Sequence, residues 1–154
     1  VKQLIRLVYS SDHADPHVDL EGALEIERSS QKNNLFNGIT GVLYFNESGF
    51  LQVLEGEMQL VTQTFGRISR DNRHQDVRLI ETIPIKKQIF SLWDLRLVSP
   101  SLIPENMLDY FYFKYGRDEK DEIPIPDDSF QAISLLYDLQ KVALYSEHKA
   151  TGEG

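Results

Sequence analysis

Cysteine is absent from all 154 residues, so neither a disulfide framework nor thiol chemistry is available. Histidine is sparse. His13, His17, His74 and His148 are scattered, and the 13/17 pair has no third ligand nearby, which argues against a metal site. No apolar run approaches the ~20 residues that cross a membrane. Nothing at the start resembles a secretory signal, so a cytoplasmic location is expected, and Val1 in place of Met points to a start further upstream. The sequence lacks GxGxxG, GxxxxGK[ST] and GxSxG, and no Ser/His/Asp or paired-carboxylate spacing stands out. Rossmann dinucleotide binding, a P-loop and serine hydrolysis therefore have no support, and no enzymatic activity is expected. An excess of positive charge is also missing. The net charge of −8 argues against direct nucleic-acid binding. What remains is 41% hydrophobic and 26% charged, too apolar for a disordered chain and long enough for one globular domain with a modest extension.

Hydrophobic periodicity orders the first hundred residues. Leu4–Tyr9 alternates as a strand, with Ile5, Leu7 and Tyr9 on one face. A loop over Ser10–His17 leads into a helix over about Asp19–Asn33. Its apolar stripe is Leu20 and Leu24, flanked by Ala23, Ile26, Ser30 and Asn33. Strands over Thr40–Phe45 and Phe50–Glu55 are joined by the hairpin signal Asn46-Glu47-Ser48-Gly49. A second helix over about Glu57–Arg70 turns Val61, Phe65 and Ile68 inward, and Asp71–His74 is a polar stop. A fourth strand is expected over Val77–Ile83, ending at Pro84, and a fifth over Ile89–Val98. The order βαββαββ predicts an α+β, ferredoxin-like, mainly antiparallel sheet with two helices on one face.

Pro100 and Pro104 mark a boundary, dividing the chain into domain 1–99 and a C-terminal two-helix extension, 100–154. The first of these helices, about Glu105–Tyr115, is rich in aromatics. The second, Phe130–Tyr145, offers Ile133, Leu136, Tyr137, Leu139 and Leu144 as apolar positions, and the tail from Lys149 is expected to fray. Both are too small to fold alone. They must pack on the sheet's free face or on another subunit, and the two are equally open.

Three sets of polar residues ask for partners. Gln52 sits between Phe50 and Leu54 in a strand that should be central, and burying its amide unpaired costs on the order of 1–3 kcal/mol. Tyr9 can meet it from the first strand. From the residues alone, a core tyrosine satisfied by a neighbouring amide is favoured over a functional pair. Ser30, Asn33 and Asn34 lie near a helix end, where caps are the usual reason, although asparagines also read the edge of a planar heterocycle. Arg67, Arg70, Asp71 and Arg73 form either a solvated cluster or a grip for phosphate and sugar.

From Leu4 to about Val98 these blocks, in order and at matching spacing, resemble the BLUF family, the sensors of blue light using FAD. The matching segments are Leu7-Val8-Tyr9-Ser10, Ser30-Gln31-Lys32-Asn33-Asn34, Gly38-Ile39-Thr40-Gly41-Val42-Leu43, Phe50-Leu51-Gln52-Val53-Leu54-Glu55-Gly56, Arg70-Asp71-Asn72-Arg73-His74 and Phe90-Ser91-Leu92-Trp93. The resemblance implies non-covalent FAD between the two helices, with Ile26 and Ile68 on the ring faces. Asn34, with Asn33 and Ser30 close by, would meet the ring edge. Arg67, Asp71, Arg73 and His74 would lie near the ribityl chain and phosphates. Tyr9 and Gln52 would be the photochemical pair, with Trp93 and Leu95 beside them. Leu95 stands where the family usually has methionine, so the photocycle should survive with altered kinetics. The implied partners are an unidentified downstream signalling protein and a second copy of the chain. The alternatives are a flavin-binding redox protein and a chromophore-free ferredoxin-like interaction module.

Overall fold

The computed structural model describes residues 2–14, 21, 22, 25, 28, 37–90, 96–98, 101 and 103–150, without the side chains of 96, 97 and 145–150. Five strands form one sheet: β1 (Leu4–His13), β2 (Thr40–Phe45), β3 (Gly49–Glu57), β4 (His74–Ile85) and β5 (Arg96–Val98), in the order β4-β1-β3-β2-β5. Only the β2–β5 pairing is parallel. Three helices follow the hairpin: α1 (Met58–Ser69), α2 (Glu105–Tyr115) and α3 (Ser129–Ala150). The expected first helix lies largely outside the described residues, and Glu21, Gly22, Glu25 and Arg28 within it are helical.

β1 runs to His13 rather than stopping at Tyr9. Ser10, Ser11 and Asp12 continue the ladder against Leu51, Phe50 and Gly49. The polar side chains find partners there: Ser11 Oγ meets His74 Nδ1 at 2.7 Å and His13 Nε2 meets the Asn46 carbonyl at 2.6 Å. The β2–β3 hairpin closes as expected, because Asn46 Oδ1 accepts from the Ser48 and Gly49 amides. Gly49 is required for a different reason. A Cβ there would lie 2.0 Å from the Ser11 carbonyl oxygen of the adjoining strand.

β4 is longer than its expected span, beginning at His74 and passing through Pro84. It is an edge strand, so a missing N–H is tolerated. Its pairing with β1 slips between Val8 and Tyr9 and again between Ser10 and Asp12. The second irregularity holds Asp76 at φ 50°, in a region that aspartate enters more readily than most residues. β5 is shorter than expected. Crossing from edge strand β4 to the opposite edge uses residues 86–90, which are not strand, and 91–95 lie outside the described residues.

The two faces of the sheet are packed differently. Ile5, Leu7, Tyr9 and Leu54 pack with Ile39 and α1's Val61, joined by Leu60, Phe65 and Ile68. On the opposite face Val8, Val42, Tyr44, Leu51 and Val53 share a larger core with Phe111 and Tyr115 of α2 and Ala132, Leu135, Leu136, Leu139 and Val142 of α3. The C-terminal helices therefore cover the sheet's free face. Of the expected apolar positions of α3, Leu136 and Leu139 are buried and Ile133 is partly buried, whereas Tyr137 and Leu144 are exposed at 39% and 43%. The connection between α2 and α3 is pinned where the Tyr44 hydroxyl and Asn46 Nδ2 both donate to the Ile123 carbonyl.

Candidate functional site

Tyr9 and Gln52 are direct partners across the β1–β3 ladder, on the face covered by α1. Both are 1% exposed. The Tyr9 hydroxyl donates to Gln52 Oε1. The other end of the amide is different: Gln52 Nε2 is buried and has no hydrogen-bond partner among the described residues. Native cores leave few such donors, since each costs on the order of 1–3 kcal/mol. An acceptor on a bound planar ring fits this position, and an apolar side chain does not.

The surroundings suit a flat aromatic ligand. The Phe65 ring lies 5.5 Å from Tyr9 and the His74 ring 6.2 Å from it, and Ile68 packs on the same cluster. Phe50 stands between two histidines, 4.5 Å from His13 and 4.8 Å from His74. Burial pushes the Tyr9 phenol well above its ordinary value, and the charge of Asp71 adds to the effect. The same desolvation lowers His74 from 6.5 to about 4, so its ring is neutral at pH 7.

Beyond the end of α1, Arg73 Nε grips both oxygens of Asp71, at 2.9 and 3.1 Å. That hydrogen bonding holds the Asp71 carboxyl below the usual carboxylate range, against the opposing effect of partial burial. Arg67 is exposed, with Nη2 3.2 Å from Thr64 Oγ1. The structure thus gathers Tyr9, Gln52, Ile68 and His74 around one place, with the Asp71–Arg73 pair at its rim. Ile26, Ser30, Asn33, Asn34, Trp93 and Leu95 lie outside the described residues. A groove of about 460 Å³ lined by Arg6, Ile83, Ile89, Phe130, Ile133 and Tyr137 belongs to the other face of the sheet, away from this chemistry. No group of three or more potential metal ligands occurs among the described residues.

Glu55 is the residue that sequence reasoning missed. The pair Glu55-Gly56 reads as a strand-to-helix turn, yet it lies within β3, and Glu55 is fully buried. Its signal was its place at the end of the largely apolar run Phe50–Leu54, since a carboxylate in a central strand needs cationic or amide partners. It has them: Arg6 Nε at 2.9 Å and the amides of Ile89 and Phe90 at 2.8 and 2.7 Å.

Residues 4–96 match the family model for BLUF, sensors of blue-light using FAD. The chain belongs to the BLUF family. Among curated proteins it is 35% identical over 88 residues to the photoactivated adenylate cyclase subunit alpha of Euglena gracilis, a match covering 57% of this chain and 8% of that one. It is 31% identical over 99 residues to the blue light- and temperature-regulated antirepressor BluF of Escherichia coli (strain K12), covering 61% and 24%. The chain therefore spans a small part of these relatives. Solved structures match over more of their length. The ground state of BlsA superposes with a TM-score of 0.72 at 28% identity, covering 89% of this chain and 87% of that one. The dark state of BlrB, a BLUF protein, gives 0.67 at 27%, covering 94% and 98%. Coverage this high includes residues beyond 96, so the likeness takes in the C-terminal helices. As a BLUF domain the chain is a blue-light sensor that binds FAD.

Proposed function

We propose that residues 1–99 detect blue light through Tyr9 and Gln52, and that residues 100–154 pass the signal on by protein contacts rather than by catalysis. The Nε2 of Gln52, buried and without a partner among the described residues, carries the first half of this reading. Bound FAD supplies the blue-absorbing ring and an acceptor for one electron. Tyr9 suits the donor's role because a phenol can give up an electron and a proton together. Its proton has one path in hand, along the hydrogen bond to Gln52 Oε1. The Gln52 amide can both donate and accept, so it could rearrange by rotation or tautomerisation and would then offer a donor to the bound ring. Tyr9 would recover the electron and proton it gave up. No covalent bond forms, and the lasting change is a pattern of hydrogen bonds.

In this reading Ile68 and Ile26 hold the ring faces, Ser30, Asn33 and Asn34 its edge, and Arg67, Asp71, Arg73 and His74 the ribityl and phosphate groups. Trp93 and Leu95 respond to the Gln52 amide. Self-association is supported by Phe130, Tyr137 and Leu144, exposed at 83%, 39% and 43% and spaced seven apart along α3. A second copy or a downstream signalling protein would dock there.

An absorption spectrum taken before and after blue light tests the central claim. A reversible red shift, with intact FAD recovered from the denatured protein, is the expected result. Irreversible bleaching with reduction would favour a redox flavoprotein, and a colourless protein after flavin supplementation would favour a chromophore-free module. Light scattering on Phe130→Ser tests the association, with a lower mass expected than for the parent chain.

A further inference from the structure

Gln52 and Glu55 stand three residues apart in β3, so they point to opposite faces of the sheet. Gln52 faces the flavin side, and Glu55 faces the C-terminal helices. Glu55 Oε2 accepts from Arg6 Nε at 2.9 Å, and its Oε1 accepts from the Ile89 and Phe90 amides. Just before them, Gln88 Nε2 donates to the carbonyls of Gly38 and Glu55 and to Thr40 Oγ1. The segment immediately preceding 91–95 is thus bound to β3 by side chains rather than by a strand ladder.

The same segment is held from its other side by α3. Gln140, 4% exposed, donates through Nε2 to the Ile89 carbonyl at 3.2 Å. One helical turn earlier, Tyr137 meets the Phe90 ring edge-on at 6.2 Å. Arg6 lies over that ring as well, 5.9 Å from its centroid. Ile89 is therefore a single residue whose N–H belongs to the strand of Gln52 and whose carbonyl belongs to α3. Side-chain amides and carboxylates buried in this way have few alternative partners, so a displacement of either neighbour is felt by the other.

We propose that Glu55 and Gln140 are positioning residues that couple the two faces: a shift of β3 caused by the Gln52 rearrangement moves Ile89 and Phe90 through Glu55, and Gln140 transfers that movement to α3. The inference rests on the reading of the C-terminal helices as the signal output. It assigns that output an entry point, α3 at Tyr137–Gln140.

Amide hydrogen exchange of the FAD-loaded chain, in darkness and under blue light, tests it. In the parent chain, light should change exchange at Ile89, Phe90 and α3. Gln140→Leu keeps nearly the same volume on the side remote from the flavin. It should retain the red shift, the change at Ile89 and Phe90, and the dark protection of α3, while losing the light-induced change in α3. Glu55→Gln preserves an acceptor for the two amides and should keep the change at Ile89 and Phe90, whereas Glu55→Ala should lose it. If Glu55→Ala does not fold, Gln140→Leu still decides. A light-induced change in α3 of full size in Gln140→Leu would overturn the proposal, as would a fall in α3 protection that is equal in dark and light. A parent chain with a normal red shift and no change in α3 would overturn it too. A parent chain with no red shift would instead overturn the photochemical reading itself.

Discussion

The two faces of the sheet solve the burial of polar groups in opposite ways. On the outer-helix face, the carboxylate of Glu55 is buried and every oxygen is engaged, by Arg6, Ile89 and Phe90. On the α1 face, the amide of Gln52 is equally buried and one end has no partner within the described residues. Among the described residues the first face also carries the larger apolar core, with α2 and α3 packed on it, whereas the second carries a smaller buried cluster around Tyr9 with Leu60, Phe65, Ile68 and Val77 partly buried against it. On the proposed reading, ligand chemistry resides where the hydrogen bonding of the described residues stops short.

The contrast breaks most sharply at the photochemical pair. Gln52→Leu keeps roughly the side chain's volume and removes every hydrogen bond that could rearrange. Tyr9→Phe keeps the ring and removes both the proton and the readily oxidised phenol. Each variant should stay folded and yellow with the reversible red shift abolished, as read by difference spectroscopy. If the pair were merely structural, each would lose about 1 kcal/mol of stability while its light response persisted.

A large-to-small change on the opposite face should do the reverse. Leu139→Ala opens a cavity in the core shared by α3 and the sheet, and should cost about 2–5 kcal/mol in denaturant unfolding. The amplitude of the red shift in the folded protein should be unchanged. An equal loss of photochemistry would show that the two faces are not separable.

The pH dependence of stability should come from the α1 face. His74 titrates near 4 in the fold, because of burial, against 6.5 ordinarily. Between those values the unfolded chain holds the extra proton, so its contribution to stability is complete above about 6.5 and is lost as pH falls towards 4, by up to about 3 kcal/mol. In thermal melts across pH 4–7, the parent should lose stability relative to His74→Gln as pH falls. Parallel curves would reject the assignment. The smallest effect is expected from Leu95→Met, where volume is nearly conserved. The size of the red shift should be unchanged and the rate of dark recovery altered, and identical recovery rates would count against a contact with Gln52.

The contact between Tyr9 and Gln52 was legible because strand alternation sets each among inward apolar residues and a buried amide is conspicuous, whereas the photochemical role came only from the resemblance. The far end of β1 was not. Ser10, Ser11 and His13 Nε2 meet Arg78, His74 and Asn46, none of them a sequence neighbour, so a strand looked like a loop. Glu55 was hidden for the same reason, since its three donors come from residues 6, 89 and 90. The apolar positions of α3 were legible at Leu136 and Leu139 and misread at Tyr137 and Leu144, because the helix is apolar around much of its circumference. Tyr137 and Leu144 fit a helical period as well as Leu135 and Val142 do, and only the sheet decides between them.

The desolvated phenol of Tyr9 has a consequence for the quality of the signal. Burial holds this hydroxyl protonated further above the cellular pH range than an ordinary tyrosine, so a swing in acidity does not ionise it. On the proposed mechanism its proton would become mobile only after an electron has left, and that would require a photon. Burial would then act as a filter, rejecting a common environmental fluctuation while leaving the detector open to the one input that carries information.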